Sequence, residues 1–265
     1  MKQIHYTSGL PRACSTLLQN LLAQNPQVHA TATSGVHEIM YLSKAFFKTE
    51  EFRSIPDPKQ GEQLFLDFMR HGITHAFDSI TDRPIVVDKC RSWIGSANLL
   101  FQMFPDAKLL VPVRDIRGVL SSMEKKYQQH PGFQMEGSQQ DTARIQTIEG
   151  RCQFWLDTAP VGLAVQRLHE LAKNHKDKVH FVHAEDLTSN PQETMNRVWE
   201  YLGLDPFVHN TENVEQYTQE HELGWPFGDH EIKPQVKPLK PDWHQTLGRQ
   251  LSDGINQKFQ WINNL

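Results

Sequence analysis

The sequence predicts an α/β fold, a single domain spanning residues 1–265 with a central parallel sheet flanked by helices. Three observations predict it. Residues 3–7 form a short β-prone run that turns at Gly9 and Pro11, then restarts as a helix with Leu17, Leu18, Leu21 and Leu22 on one face. Residues 108–113, Lys-Leu-Leu-Val-Pro-Val, read as a buried parallel strand, and Ile116, Val119, Leu120 and Met123 then recur at helical spacing. Further short apolar runs alternate with helical stripes along all 265 residues, 38% of them hydrophobic, enough to bury a substantial core.

The elements follow in order. After the first helix, residues 29–35 are small and polar and read as a loop, with a helix over 36–48. Residues 54–61, which include I-P-D-P-K-Q, break the chain before a helix over 62–77. A short apolar strand over 84–88 leads to a helix with Ile94, Ala97, Phe101 and Phe104 on one side. The 108–113 strand and its helix come next, then a polar turn at 130–140 and a long helix over 142–174, which Pro160 and Gly162 can kink or split. A strand over 178–183 precedes a helix over 191–202 that turns Met195, Val198, Trp199 and Leu202 inward. Prolines at 226, 234, 238 and 241 forbid regular helix, so residues 224–245 read as a proline-rich arm. A last helix over 246–263 carries Leu247, Leu251, Ile255 and Phe259. Strands alternating with helices in this way put helices on both faces of the sheet and ligands at the carboxyl ends of its strands.

Two strand–helix junctions carry chemistry. A strand that feeds a small-residue loop into a helix N-terminus makes an anion site, because the first helical amides lack intrahelical acceptors and the dipole favours negative charge. Arg12 adds a fixed charge there, and Ser15 and Thr16 add hydroxyl donors. The ATP- or GTP-binding pattern G-x-x-x-x-G-K-S/T is absent, since no Gly-Lys pair follows Gly9. At the second junction Arg114 ends the strand and Ser122 stands two turns along the helix. An Arg fork with a hydroxyl satisfies phosphate oxygens directionally.

The wording S-G-L-P-R-A-C-S-T-L resembles the 5′-phosphosulfate loop of sulfotransferases that use 3′-phosphoadenosine 5′-phosphosulfate (PAPS), and is most similar to the P-R-S-G-T-T-L of protein-tyrosine sulfotransferases. Arg114 with Ser122 resembles that family's 3′-phosphate site, and F-P-D-A-K before it is similar to the family's F-P-N-S-K. Lys89 in V-D-K-C resembles the family's N-K-D segment, and Glu231-Ile232-Lys233-Pro234 its Q-V-I-K-P passage. The resemblance implies a P-loop-like sulfotransferase fold. It implies transfer of a sulfuryl group from PAPS to a hydroxyl, leaving adenosine 3′,5′-bisphosphate (PAP). On this basis Arg12, Ala13, Cys14, Ser15 and Thr16 hold the 5′-phosphosulfate, Arg114 and Ser122 hold the 3′-phosphate, and Lys233 reaches the nucleotide, with Lys237 and Lys240 as weaker candidates. Arg12 and Lys89 act on the reacting group, Lys89 at the leaving oxygen. Glu38 takes the acceptor's proton, with His37 as the alternative base. No metal is required, because Arg and Lys supply the charge. The sequence departs from the family at Cys14, where the family has Gly, at Ala13, where it has Ser, and at His183 or Ala184, where it has Tyr. The region around Glu38 is several residues longer. The acceptor stays open among tyrosine-like phenols, sugars, lipids and small alcohols.

Composition bounds the rest. A net charge of −4 argues against a nucleic-acid-coating protein. No run approaches a membrane span, and the first strand begins almost at Met1, leaving no room for a cleaved signal. Cys14, Cys90 and Cys152, without C-x-x-C spacing, fit reduced thiols and a cytoplasmic location. A homodimer is compatible with the sequence. The 14 histidines include four His-Glu pairs, none of which continues as H-E-x-x-H. Two other classes remain: a nucleotide-dependent kinase, with Asp88 as the magnesium carboxylate, and a non-catalytic nucleotide-binding module.

Overall fold

In a computed structural model, described for residues 2–131, 133, 135, 143–220 and 230–265, five strands form one parallel sheet. They are β1 (Gln3–Thr7), β2 (Val28–Ala30), β3 (Ile85–Lys89), β4 (Leu109–Val113) and β5 (Val179–His183), in the order β2-β3-β1-β4-β5. The helices are α1 (Ser15–Ala23), α2 (Val36–Ser43), α3 (Glu50–Arg53), α4 (Pro58–Ile80), α5 (Ala97–Met103), α6 (Ile116–Gln129), α7 (Ile148–Asp157), α8 (Val161–Asn174), α9 (Ala184–Ser189), α10 (Pro191–Leu202), α11 (Trp243–Leu247) and α12 (Arg249–Phe259).

Every residue of β3 and β4 is buried, as expected for inner strands covered on both faces. Alternate side chains go to opposite cores. Ile4, Tyr6, Val86, Leu109, Val111 and Val113 pack with the apolar stripes of α4, α5, α6 and α8. Ile85, Val87, Leu110 and Val182 pack instead with Leu18, Leu21 and Leu22 of α1 and with Met195, Val198 and Trp199 of α10. The register pairs Thr7 with Lys89 and with Leu110, so the loops leaving β1, β3 and β4 emerge on one edge.

Several expectations are corrected. His29 and Ala30, expected as part of a loop over 29–35, join Val28 in a fifth strand that pairs with β3. The helix expected over 36–48 ends at Ser43 and continues as a tighter 3₁₀ turn over Lys44–Lys48. Helix α4 starts four residues early, because Pro58 suits the first helical turn and the Asp57 side chain accepts from the Lys59 amide at 3.0 Å. The long helix over 142–174 is two helices. Pro160 has no N–H to continue the ladder, and the Thr158 hydroxyl donates to the Phe154 carbonyl at 2.7 Å where α7 ends. The terminal helix begins at Trp243 and is cut at Gly248, whose φ of 78° a helix cannot accommodate. The expected turn over 130–140 and residues 224–229 of the arm fall largely or wholly outside the described residues.

Candidate functional site

The loop after β1 is shaped by its contact with β4. The Ser8 amide donates to the Leu110 carbonyl at 3.0 Å and the Leu10 amide to the Pro112 carbonyl at 2.9 Å. Between them, a Cβ on Gly9 would lie 2.2 Å from the Pro112 oxygen, so only glycine permits this approach. The Ser8 hydroxyl donates to the Arg91 carbonyl at 2.8 Å and accepts from the Ile94 amide at 2.9 Å, which ties the loop to the chain leaving β3. The loop then passes through two left-handed residues, Arg12 and Cys14, each with φ 59°. That conformation costs a non-glycine residue about 1–2 kcal/mol. Cys14 therefore accepts the backbone angles of the glycine it replaces. It caps α1 without a side-chain hydrogen bond, and burial pushes its thiol pKa up.

The second junction folds onto the first. Arg114 Nη1 donates to the Arg12 carbonyl at 2.9 Å, and Arg12 Nε donates to Ser122 Oγ at 3.1 Å. Asp115 caps α6 by accepting from the Arg117 amide at 2.8 Å, which fixes the strand–helix corner on which Arg114 stands. Burial lowers the pKa of the Arg114 guanidinium, whose buried Nε packs against Gly118 and has no hydrogen-bond partner among the described residues. An Arg side chain at such a strand end suits an oxygen-rich anion such as a phosphate.

A third set surrounds Lys89. Its ammonium meets Glu220 Oε1 at 2.5 Å, Thr33 Oγ1 donates to the same oxygen at 2.9 Å, and His230 Nε2 lies 3.3 Å from Glu220 Oε2. Burial works to raise the Glu220 carboxyl, but Lys89, His230 and the Thr33 hydroxyl hold it below the usual carboxylate value.

Glu38 lies in the first turn of α2 with its side chain 59% exposed, and its Oε1 is 3.4 Å from His37 Nδ1. His37 is buried, with Nε2 3.0 Å from the Ser96 hydroxyl and its ring edge-on to Trp93. Burial lowers its pKa against the pull of Glu38. Donor atoms of His37, Glu38 and Cys90 lie within 4.8 Å of one another.

The two junctions and the Lys89 set border one cleft of about 1260 Å³. Arg12, Ala13, Cys14, Ser15, Thr16, Lys89, Arg114, Ser122 and Lys233 all line it, as do Lys237 and Lys240 of the arm. Glu38 and His37 do not, although Cys90 beside them does. The arm is anchored on both sides. Val214 donates to the Pro234 carbonyl at 2.7 Å and Val236 to the Thr211 carbonyl at 2.9 Å, while Lys125 of α6 binds Asp242 at 2.9 Å. Asn20 of α1 holds the segment opposite, accepting from the Tyr217 and Thr218 amides at 2.6 and 2.9 Å and donating to Thr218 Oγ1 at 3.0 Å.

Asp88 is fully buried, accepting from Trp93 Nε1 at 2.7 Å and Thr31 Oγ1 at 3.1 Å, and burial raises its pKa. It does not line the cleft, whereas Glu220, Glu231 and Asp242 do. Sequence reasoning missed Thr33, Glu220 and His230. No pattern in Q-E-H-E-L singles out Glu220, which reaches Lys89 across 131 residues.

The loop after β1 and the Arg114/Ser122 corner thus meet at neighbouring strand carboxyl ends of a parallel α/β sheet, where such folds bind their ligands. The profile of the Sulfotransferase family matches residues 7–208, and the chain belongs to that family. It is 22% identical over 215 residues to protein-tyrosine sulfotransferase A of Caenorhabditis elegans, covering 79% of this chain and 53% of that one. It is 23% identical over 219 residues to the protein-tyrosine sulfotransferase of Drosophila melanogaster, covering 79% of this chain and 40% of that one. The chain thus matches about half, or less, of the length of these curated relatives. Its fold is similar to the sulfotransferase domain from the curacin biosynthetic pathway, with TM-score 0.58, 15% identity and 98% of each chain covered. It is also similar to mouse sulfotransferase SULT7A1 complexed with PAP, with TM-score 0.53, 12% identity, and 100% and 85% covered.

Proposed function

We propose that this chain transfers a sulfuryl group from PAPS to a hydroxyl acceptor by in-line displacement. The observation that carries the reading is the junction of Arg12, Arg114 and Ser122, in which two clamps from separate strands meet in one cleft. Family membership supports the reaction class, and the PAP named with the mouse structure supports the nucleotide.

The donor supplies an activated sulfuryl group on a phosphate leaving group. This chain's residues grip, neutralise and deprotonate. Arg12 and the amides of residues 13–16 bind the 5′ end, helped by Ser15 and Thr16. Arg114 and Ser122 bind the 3′-phosphate and so select against ordinary adenine nucleotides. Lys233, on the arm, covers the nucleotide. The acceptor oxygen bonds to sulfur as the bond between sulfur and the phosphate oxygen breaks. Lys89 stabilises the charge left on that oxygen, and Glu38 receives the acceptor's proton. Both His37 nitrogens face protein groups, so His37 acts behind Glu38 rather than on the acceptor. Arg and Lys provide the charge that a metal would otherwise bring.

The similarity to tyrosine sulfotransferases supports a phenolic acceptor as the first to assay. Three cysteines without disulfide partners support a reducing, cytoplasmic setting. Among the described residues no helix is long and apolar enough to cross a membrane. The test is a thermal-shift series followed by transfer of radiolabelled sulfate to phenol, peptide-tyrosine, sugar and alcohol acceptors. PAP should stabilise the protein without magnesium, by about 2.7 kcal/mol at one hundred times its dissociation constant, and ATP should do little. A magnesium-dependent ATP shift with none from PAP would replace this reading with a kinase. Nucleotide binding without transfer to any acceptor would leave a binding module.

A further inference from the structure

Lys89, the ammonium assigned above to the leaving oxygen, already has an anion. Its contact with Glu220 is 2.5 Å, and the two side chains are only 11% and 15% exposed. Glu220 is also held by Thr33, from the loop after β2, and by His230, from the start of the arm. These groups, with Lys89, keep the carboxyl below its ordinary range against the effect of burial. The carboxylate is held by three groups from separate parts of the chain, in a cleft whose wall is rich in cations: Arg12, Arg91, Arg114, Lys125, Lys126 and Lys233.

We propose that Glu220 sets donor affinity and selectivity by competing with the phosphosulfate for Lys89. This rests on the proposed function. A phosphosulfate oxygen and the Glu220 carboxylate are like charges seeking one ammonium, and each weakens the other's hold on it. Full donor contact with Lys89 is therefore favoured when Glu220 releases it, while Thr33 and His230 remain as partners for the displaced carboxylate. A nucleotide gripped at two further points, the α1 loop and the Arg114–Ser122 clamp, can drive that exchange. Inorganic phosphate or sulfate, with no such attachments, cannot. Glu220 thereby excludes small anions from a strongly cationic cleft and keeps the Lys89 charge for the nucleotide.

The test is calorimetric titration of wild type, Glu220→Gln, Lys89→Ala and the double variant with PAP and, separately, with inorganic phosphate. Glutamine keeps the size and an acceptor for Thr33 but gives up the charge. If the Glu220-held state makes up about nine-tenths of the population, Glu220→Gln should bind PAP about tenfold more tightly. It should also acquire measurable phosphate binding, and both gains should vanish when Lys89 is alanine. Glu220→Asp, whose shorter carboxylate holds Lys89 less well, should gain part of the increase and covers the case in which the glutamine variant fails to fold. Unchanged or weaker PAP binding in a folded Gln or Asp variant, or a gain that persists without Lys89, overturns the competition and leaves the proposed function standing. Failure of wild type to bind PAP at all overturns both.

Discussion

The proposed function gives Arg114 two jobs, and its removal should separate them. One guanidinium nitrogen holds the Arg12 carbonyl at 2.9 Å, propping the left-handed turn of the 5′ loop. The guanidinium also borders the cleft, where we assign it to the 3′-phosphate. Losing the prop costs roughly one ordinary hydrogen bond, about 1 kcal/mol, or about a fivefold loss for any nucleotide whose 5′ end uses the loop. Losing the charged contact costs a further 1.5–3 kcal/mol, or roughly 10- to 150-fold, and only for a nucleotide with a 3′-phosphate. Arg114→Ala should therefore weaken adenosine 5′-phosphate about fivefold and PAP by roughly 50-fold or more, measured by titration calorimetry on both ligands. Equal losses for the two would refute the assignment of Arg114 to the 3′-phosphate. No loss for adenosine 5′-phosphate would refute its role as a prop.

Glu38→Gln should lower turnover by about 10²–10⁴ while PAP affinity, read by calorimetry, stays nearly unchanged; wild-type turnover would remove Glu38 from the reaction. Gly9→Ala forces β4 and the loop apart, so a loss of about 1–3 kcal/mol in urea unfolding should come with weaker PAP binding, and a neutral result would contradict the contact at Pro112. Asn20→Ala strands the Tyr217 and Thr218 amides and should cost about 1–3 kcal/mol, with faster exchange of both amides by hydrogen-exchange mass spectrometry. His209 is buried, accepts from Trp199 Nε1 at 2.9 Å, and has its pKa lowered by burial to about 4. The unfolded chain takes up this proton near pH 6.5 and the folded one only near 4, so its contribution is intact above pH 6.5 and is lost as pH falls toward 4. Between pH 7 and 5 the wild type should lose about 2 kcal/mol on this account, and the His209→Gln variant should show a correspondingly flatter decline.

What the sequence disclosed and what it withheld divide along physical lines. β1, β4 and the α6 stripe were legible because apolar periodicity is a local signal, and Arg12, Arg114 and Ser122 stand at fixed offsets from those elements. β2 was missed because three residues, Val28 to Ala30, carry no pattern, and only pairing with β3 makes them a strand. Pro160 announced a break without saying whether the helix would bend or end, and Gly248 cuts a run whose apolar spacing continues through it. Glu220 was invisible for another reason. Its meaning lies in an ion pair with Lys89, set by tertiary folding, and nothing in its own neighbourhood records that. Glu38 stood out on the page, yet in the fold it sits outside the cleft wall, beside the buried His37.

The grip of Arg114 on the Arg12 carbonyl has a bearing on how the protein comes into being. β1 precedes the other four strands in the chain yet lies mid-sheet, between β3 and β4, which are translated some eighty and one hundred residues later. A nascent chain that has not yet emerged past Ser122 holds an amino-terminal loop with no β4 to lie against and no guanidinium to brace it. Ribosome-bound intermediates shorter than this should be blind to PAP, read by binding to stalled nascent chains of increasing length.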